Sequence, residues 1–211
     1  MTPAALRSWG GVGRRAAYNR AVGRINFQDH SGQVEMERVA KTAWAGIKAS
    51  ESFICVQTYS GYRGSQMDPS GSTHYLEVSA GDQELCAALM DALGNSRFVI
   101  PAMRRDVWIH PDAQVDAALY DFDSMARRYD AWIAECTELY GYKTRKALFK
   151  NMKSCTAKCQ SRTLYIQPMK KERGDGWSVP ENQPDVSVTV GIDRSSEEIG
   201  AALRLALARC T

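Results

Sequence analysis

Between Phe122 and Gln167 the apolar repeat changes period, and this change restricts the fold more than any other feature. Phe122, Met125, Tyr129, Trp132, Ile133, Cys136 and Tyr140 recur every three or four residues, as one stripe of an amphipathic helix does. Gly141 is placed to end that helix. Residues 155–159 and 163–167 read instead as two strands, with a tight turn near Gln160 and Ser161. Hairpins separated by helical runs in this way point to an α+β arrangement.

The rest of the chain repeats this pattern. Phe53–Tyr59 alternates and is rich in β-formers, and His74–Ser79 is a second strand. Asp82 opens a helix with apolar positions at Leu85, Cys86, Leu89 and Leu93, closed by Gly94. Phe98–Ile100 is a short strand stopped by Pro101, and Val186, Val188 and Val190 alternate as another. Ser195 and Glu198 form a capping box before a last helix that turns Ile199, Ala202, Leu203, Ala206 and Cys210 inward. Met36, Val39, Ala40, Ala43, Trp44 and Ile47 place a further helix over 33–48, although Gly46 weakens it.

Strands and helices do not alternate in the βαβ manner. The expected fold is therefore α+β, a single domain with a central, mostly antiparallel or mixed sheet packed with helices. A chain of 211 residues with 44% apolar content can bury a sizeable core. The domain is expected over 32–211, behind a flexible basic N-terminal tail at 1–31, where glycines interrupt any helix and arginines meet no acid before Asp29.

The link between helix and hairpin, Gly141–Cys155, reads GYKTRKALFKNMKSC. Thr144 is a suitable N-cap. Lys143, Lys146, Lys150 and Lys153 fall on one stripe of a helix, and Leu148, Phe149 and Met152 on the opposite one. A solvated amphipathic helix lying on a sheet is the plainer reading and an anion-binding face the sharper one, and spacing cannot choose between them.

That string, the hairpin after it, the lone Trp177 and the ending SSEEIGAALRLALARC resemble the immunity proteins of bacterial contact-dependent growth inhibition systems. The subgroup was long known only as a domain of unknown function. FICVQTYSGYRG (Phe53–Gly64) and RFVIP (Arg97–Pro101) extend the resemblance more loosely. It implies a bacterial, cytoplasmic, non-enzymatic protein whose partner is the toxin domain of its own strain. Many such toxins are nucleases with basic clefts, which an immunity protein would block by occlusion.

The residues themselves point to binding rather than catalysis. His30, His74 and His110 share no metal-ligand spacing, and there is no G-x-S-x-G elbow or G-x₄-G-K-[ST] loop. Cys155 and Cys159 have no second pair, so no metal, cofactor or small-molecule substrate is expected. The six cysteines read as reduced thiols. No run is long enough to span a membrane, and the N-terminus lacks the apolar core of a secretory signal.

Residues 106–123 carry five aspartates and no Lys or Arg, which suits contact with a basic cleft. The candidate toxin-binding residues are Asp106, Asp112, Asp116 and Asp121, with Trp108 and Tyr120 as anchors. Tyr62 and Arg63 join them from the long polar loop SGYRGSQMDPSGST. A solvated segment beside a helix and a mobile hairpin tip are the plainer readings of the two stretches. The alternative function is a small nucleic-acid-binding protein using Lys143–Lys153. That stripe lacks interleaved aromatics and any nucleic-acid-binding signature, so nucleic acid is the less favoured partner.

Overall fold

The computed structural model describes residues 39–180 and 186–211. The expected tail at 1–31 and the first part of the predicted 33–48 helix lie outside them. The second part of that helix is instead β1, Thr42–Ala49, the central strand of the sheet. Small residues explain the error. Ala43, Ala45, Ile47 and Ala49 alternate toward one face, yet within the same eight residues Ala43, Trp44 and Ile47 fall at helical spacing. Long-range pairing decides for the strand. β1 lies antiparallel between β2, Ile54–Gly61, and β7, Lys153–Gln160. Gly46 is needed there, because a Cβ would sit 2.4 Å from the Tyr59 ring that crosses it.

Beyond β7 the sheet continues through β8, Thr163–Pro168, to β11, Val188–Gly191. At the other edge both β3, Ser65–Met67, and β4, Thr73–Leu76, pair with β2. The result is a seven-stranded, wholly antiparallel sheet. The sequence stretch read as one long polar loop is therefore partly paired into the sheet, through Ser60, Gly61, Ser65–Met67 and Thr73. The hairpin turn falls at Ser161 and Arg162, both with positive φ, one residue later than expected.

The sheet is covered on both faces. On one lie α1, Asp82–Gly94, and α4, Ser196–Ala208, over a core that includes Ile47, Val56, Leu85, Leu89, Leu164, Ile166 and Leu203. On the other lie α2, Phe122–Leu139, and α3, Arg145–Phe149, over Phe53, Cys55, Trp132, Cys136, Leu148 and Met152. The α4 capping box forms as expected: the Glu198 amide donates to Ser195 Oγ at 3.2 Å, and the Ser195 amide donates to Glu198 at 3.0 Å. Asp82 does not cap α1. Gly81 does, with its amide donating to Glu84, and Asp82 holds the first helical position, where it pairs with Arg204 of α4. The α2 stripe buries Trp132, Ile133 and Cys136, but Phe122 at its start is 45% exposed.

The basic link is the main correction. Thr144 caps α3, accepting from the Ala147 amide at 3.1 Å, and Leu148, Phe149 and Met152 are buried as expected. But α3 has only five residues, and Lys153 already starts β7, paired with Ala49. The four lysines therefore do not share one helical stripe, because strand pairing takes the backbone once the first turn is complete. Two short pairs finish the fold: β5, Val99–Ile100, runs parallel to β6, Gln114–Val115, and β9, Lys170–Lys171, forms a hairpin with β10, Trp177–Ser178. Among the described residues no helix is long and apolar enough to cross a membrane.

Candidate functional site

Residues 97–121 connect α1 to α2 and hold six of the eight predicted contact residues. Arg97 ties this segment to the sheet. Its guanidinium donates to Asp68 at 2.6 Å and 2.9 Å and pairs with Asp116 at 2.9 Å. The Asp68 side chain is fully buried. Burial would raise its pKa, but hydrogen bonds from Arg97, Ser60 and the Ser70 amide outweigh that and hold the carboxyl below its ordinary value. Asp116 also accepts from the Leu119 amide, closing a 3-10 turn at Ala118–Tyr120. Tyr120 donates its hydroxyl to the Val99 carbonyl at 2.5 Å. Asp121 caps α2, accepting from the Ser124 amide at 2.8 Å, and hydrogen bonds from the Ser124 hydroxyl and amide hold its pKa below the ordinary value. Asp116, Tyr120 and Asp121 thus shape the segment from within.

The remaining residues face outward. Asp106 pairs with Arg104, and Asp112 with Lys41 at 3.2 Å, both in exposed positions. Tyr62, at the end of β2, accepts from the His110 amide at 2.9 Å, and its ring lies 4.8 Å from Phe98. Phe98 meets His110 edge-on, and His110 meets Trp108 edge-on. The fold therefore brings Tyr62 and Trp108 into one run of rings, although they are far apart in the sequence. Arg63 is exposed in the β2–β3 turn.

Sequence reasoning named Trp108 but missed the other apolar residues of this surface, Met103, Val107 and Val115. Met103 is 68% exposed, Val115 54%, and Val107 and Trp108 just over a third. These residues follow no period, so a periodicity search passes over them. The only available signal was large apolar side chains within an acidic, strand-poor stretch. Exposed apolar groups surrounded by charges that are already neutralised suit contact with another protein, because desolvating them costs little. Among the described residues no cluster of His, Cys, Asp or Glu is arranged to hold a metal ion.

Comparison with known proteins agrees across most of the chain. The sequence profile of the family described as CdiI, CDI immunity protein, matches residues 43–210. The immunity protein CdiI-YPIII of Yersinia pseudotuberculosis serotype O:3 (strain YPIII) is 45% identical over 175 residues, covering 83% of this chain and 99% of that protein. A chain of the CdiA-CT/CdiI toxin and immunity complex from Yersinia pseudotuberculosis superimposes with a TM-score of 0.79 at 45% identity, covering 81% of this chain and 98% of that one. NMB0488 from Neisseria meningitidis, a protein of unknown function, superimposes with a TM-score of 0.70 at 32% identity, covering 84% of this chain and all of that one.

Proposed function

This chain belongs to the CdiI family of CDI immunity proteins, and from that premise we propose that it acts in the cytoplasm by covering the active site of its cognate toxin domain, a nuclease. The partner is the toxin domain of its own growth inhibition system. The observation that carries the reading is the likeness, over nearly the full length of the matched chain, to a toxin and immunity complex.

The 97–121 surface supplies a contact of suitable character. Trp108, Met103 and Val107 are its apolar anchors, and Tyr62, Arg63, Asp106 and Asp112 are its polar rim. Asp116, Tyr120 and Asp121 hold the surface in shape from behind. Neutralisation by occlusion is stoichiometric, and this gives the test. Expressed in a sensitive cell, the protein should rescue growth from its own strain's toxin domain and from no unrelated one. In purified form it should abolish the toxin's nuclease activity at a ratio of about one to one. Killing at saturating expression would sink the proposal, and protection at a small fraction of one equivalent would replace occlusion with catalysis.

A further inference from the structure

A second surface lies between α3 and the β9–β10 hairpin. Arg145, Lys146, Phe149, Lys150, Lys171 and Asp175 line a cleft of about 540 Å³, with Glu172 and Gly174 at its lip. Its acids and its arginine are already satisfied. Arg145 pairs with Asp130 of α2 and with Asp175. Glu172 accepts from Ser178 Oγ at 2.7 Å and pairs loosely with Lys170.

The three lysines are not. The side chains of Lys146 and Lys150 make no ion pair or hydrogen bond among the described residues, and both residues are exposed. Lys171 is half-buried. Its ammonium lies 4.2 Å from the Trp177 ring and 5.2 Å from the Phe149 ring, and it donates only to the neutral Gly174 carbonyl at 3.0 Å. Burial lowers the Lys171 pKa, as expected for an ammonium held out of water without a full counter-charge.

We propose that this cleft receives an acidic segment of the toxin domain, seating an Asp or Glu carboxylate between Lys146, Lys150 and Lys171. The inference rests on the toxin-binding reading above. Charge complementarity selects the occupant: the lining carries four cationic residues against two acids, both of which are already engaged. Nucleic acid fits less well. A bound strand needs a continuous basic track and free ring faces for its bases. Here Lys171 covers the Phe149 and Trp177 rings, and Phe149 is buried.

The two surfaces are close enough for one partner. Asp121 caps α2 and Asp130, on the same helix, meets the cleft's Arg145, which separates them by about 14 Å of helix axis. A typical interface of roughly 800 Å² per partner is about 30 Å across.

The test compares the full chain with a variant carrying Lys146→Glu and Lys150→Glu, and with Lys171→Met, by calorimetric titration against the toxin domain at two salt concentrations. Each variant should bind at least tenfold more weakly, and the double variant should lose much of the salt dependence. Affinity within tenfold of wild type overturns the inference. Lys146 and Lys150 are exposed, so their replacement leaves the fold intact, which circular dichroism checks. Lysine acetylation read by mass spectrometry gives an independent measure on the unaltered protein. Lys146, Lys150 and Lys171 should be protected in the complex, and equal labelling free and bound overturns the assignment. Failure of the wild-type chain to bind the toxin sinks the toxin reading itself, whereas wild-type binding with unaffected variants sinks only the cleft. Generic RNA and DNA are titrated in parallel: binding that the double variant loses while toxin affinity stands would assign the cleft to nucleic acid instead.

Discussion

At the scale of single residues, Asp68 and Leu203 carry stability for opposite reasons. Asp68 is a buried charge held by Arg97, with its pKa below the ordinary value near 3.9. A depressed carboxylate contributes stability that is complete above the unfolded pKa and is lost as pH falls through the folded one. Melting temperature measured from pH 7 down to pH 3 should therefore fall on the acid side of about pH 4. Asp68→Asn should flatten that limb and cost about 2 kcal/mol at pH 7, a value kept low because Arg97 stays partly solvated. Leu203 is fully buried between α4 and the sheet. Leu203→Ala should cost about 2–5 kcal/mol in chemical denaturation, whereas Ser195→Ala, which removes one cap bond, should cost about 1 kcal/mol. An unchanged midpoint for the Leu203 variant would mean that α4 does not pack as described.

At the scale of elements, the contact between α1 and α4 depends on one missing side chain. A Cβ on Gly200 would lie 2.0 Å from the Asp82 carbonyl oxygen, and rigid helix backbone cannot yield as a side-chain tip can. Gly200→Ala should push the helices apart and destabilise the fold by about 1–3 kcal/mol, although alanine is the better helix former. A more stable Gly200→Ala protein would refute this close approach. The junction of α4 with β7 gives a separate prediction. Cys210 and Cys155 stand 3.5 Å apart, and a hydrogen bond from Cys155 holds the Cys210 thiol below its ordinary value. Burial instead pushes Cys55 up to about 12. In the native protein at pH 8 a thiol reagent should modify Cys210 first, as peptide mass mapping would show. After unfolding, all six thiols should react without prior reduction. First modification at Cys55 would contradict the packing.

At the scale of the whole molecule, local pairing governs what each charge can do. Asp106 and Asp112 are more than half exposed, and each already has a cationic neighbour. At the rim of the proposed interface such charges would act on encounter more than on residence. Reversing both to lysine should slow toxin association severalfold in surface-binding kinetics at low salt and leave dissociation nearly unchanged. A dissociation rate raised a hundredfold would move these residues into the centre of the interface.

The sequence alone determined the α+β class, the antiparallel hairpin, the three long amphipathic helices and the α4 cap. Each of these follows from short-range periodicity or a local hydrogen bond, and the family resemblance rested on strings that needed no geometry. Only the tertiary structure decided that 42–49 is a strand, since a run of small residues satisfies both periods and pairing on two sides settles the matter. The same pairing cut the basic link after one helical turn and turned a lysine stripe into one wall of a cleft, whose other wall comes from the β9–β10 hairpin. It also divided the aspartates into Asp116 and Asp121, which shape the 97–121 segment, and Asp106 and Asp112, which are exposed on it. Asp121 meets an amide three residues on, but the pairing of Asp116 with Arg97 and of Asp112 with Lys41 depends on contacts between segments distant in the sequence, and no sequence period encodes those.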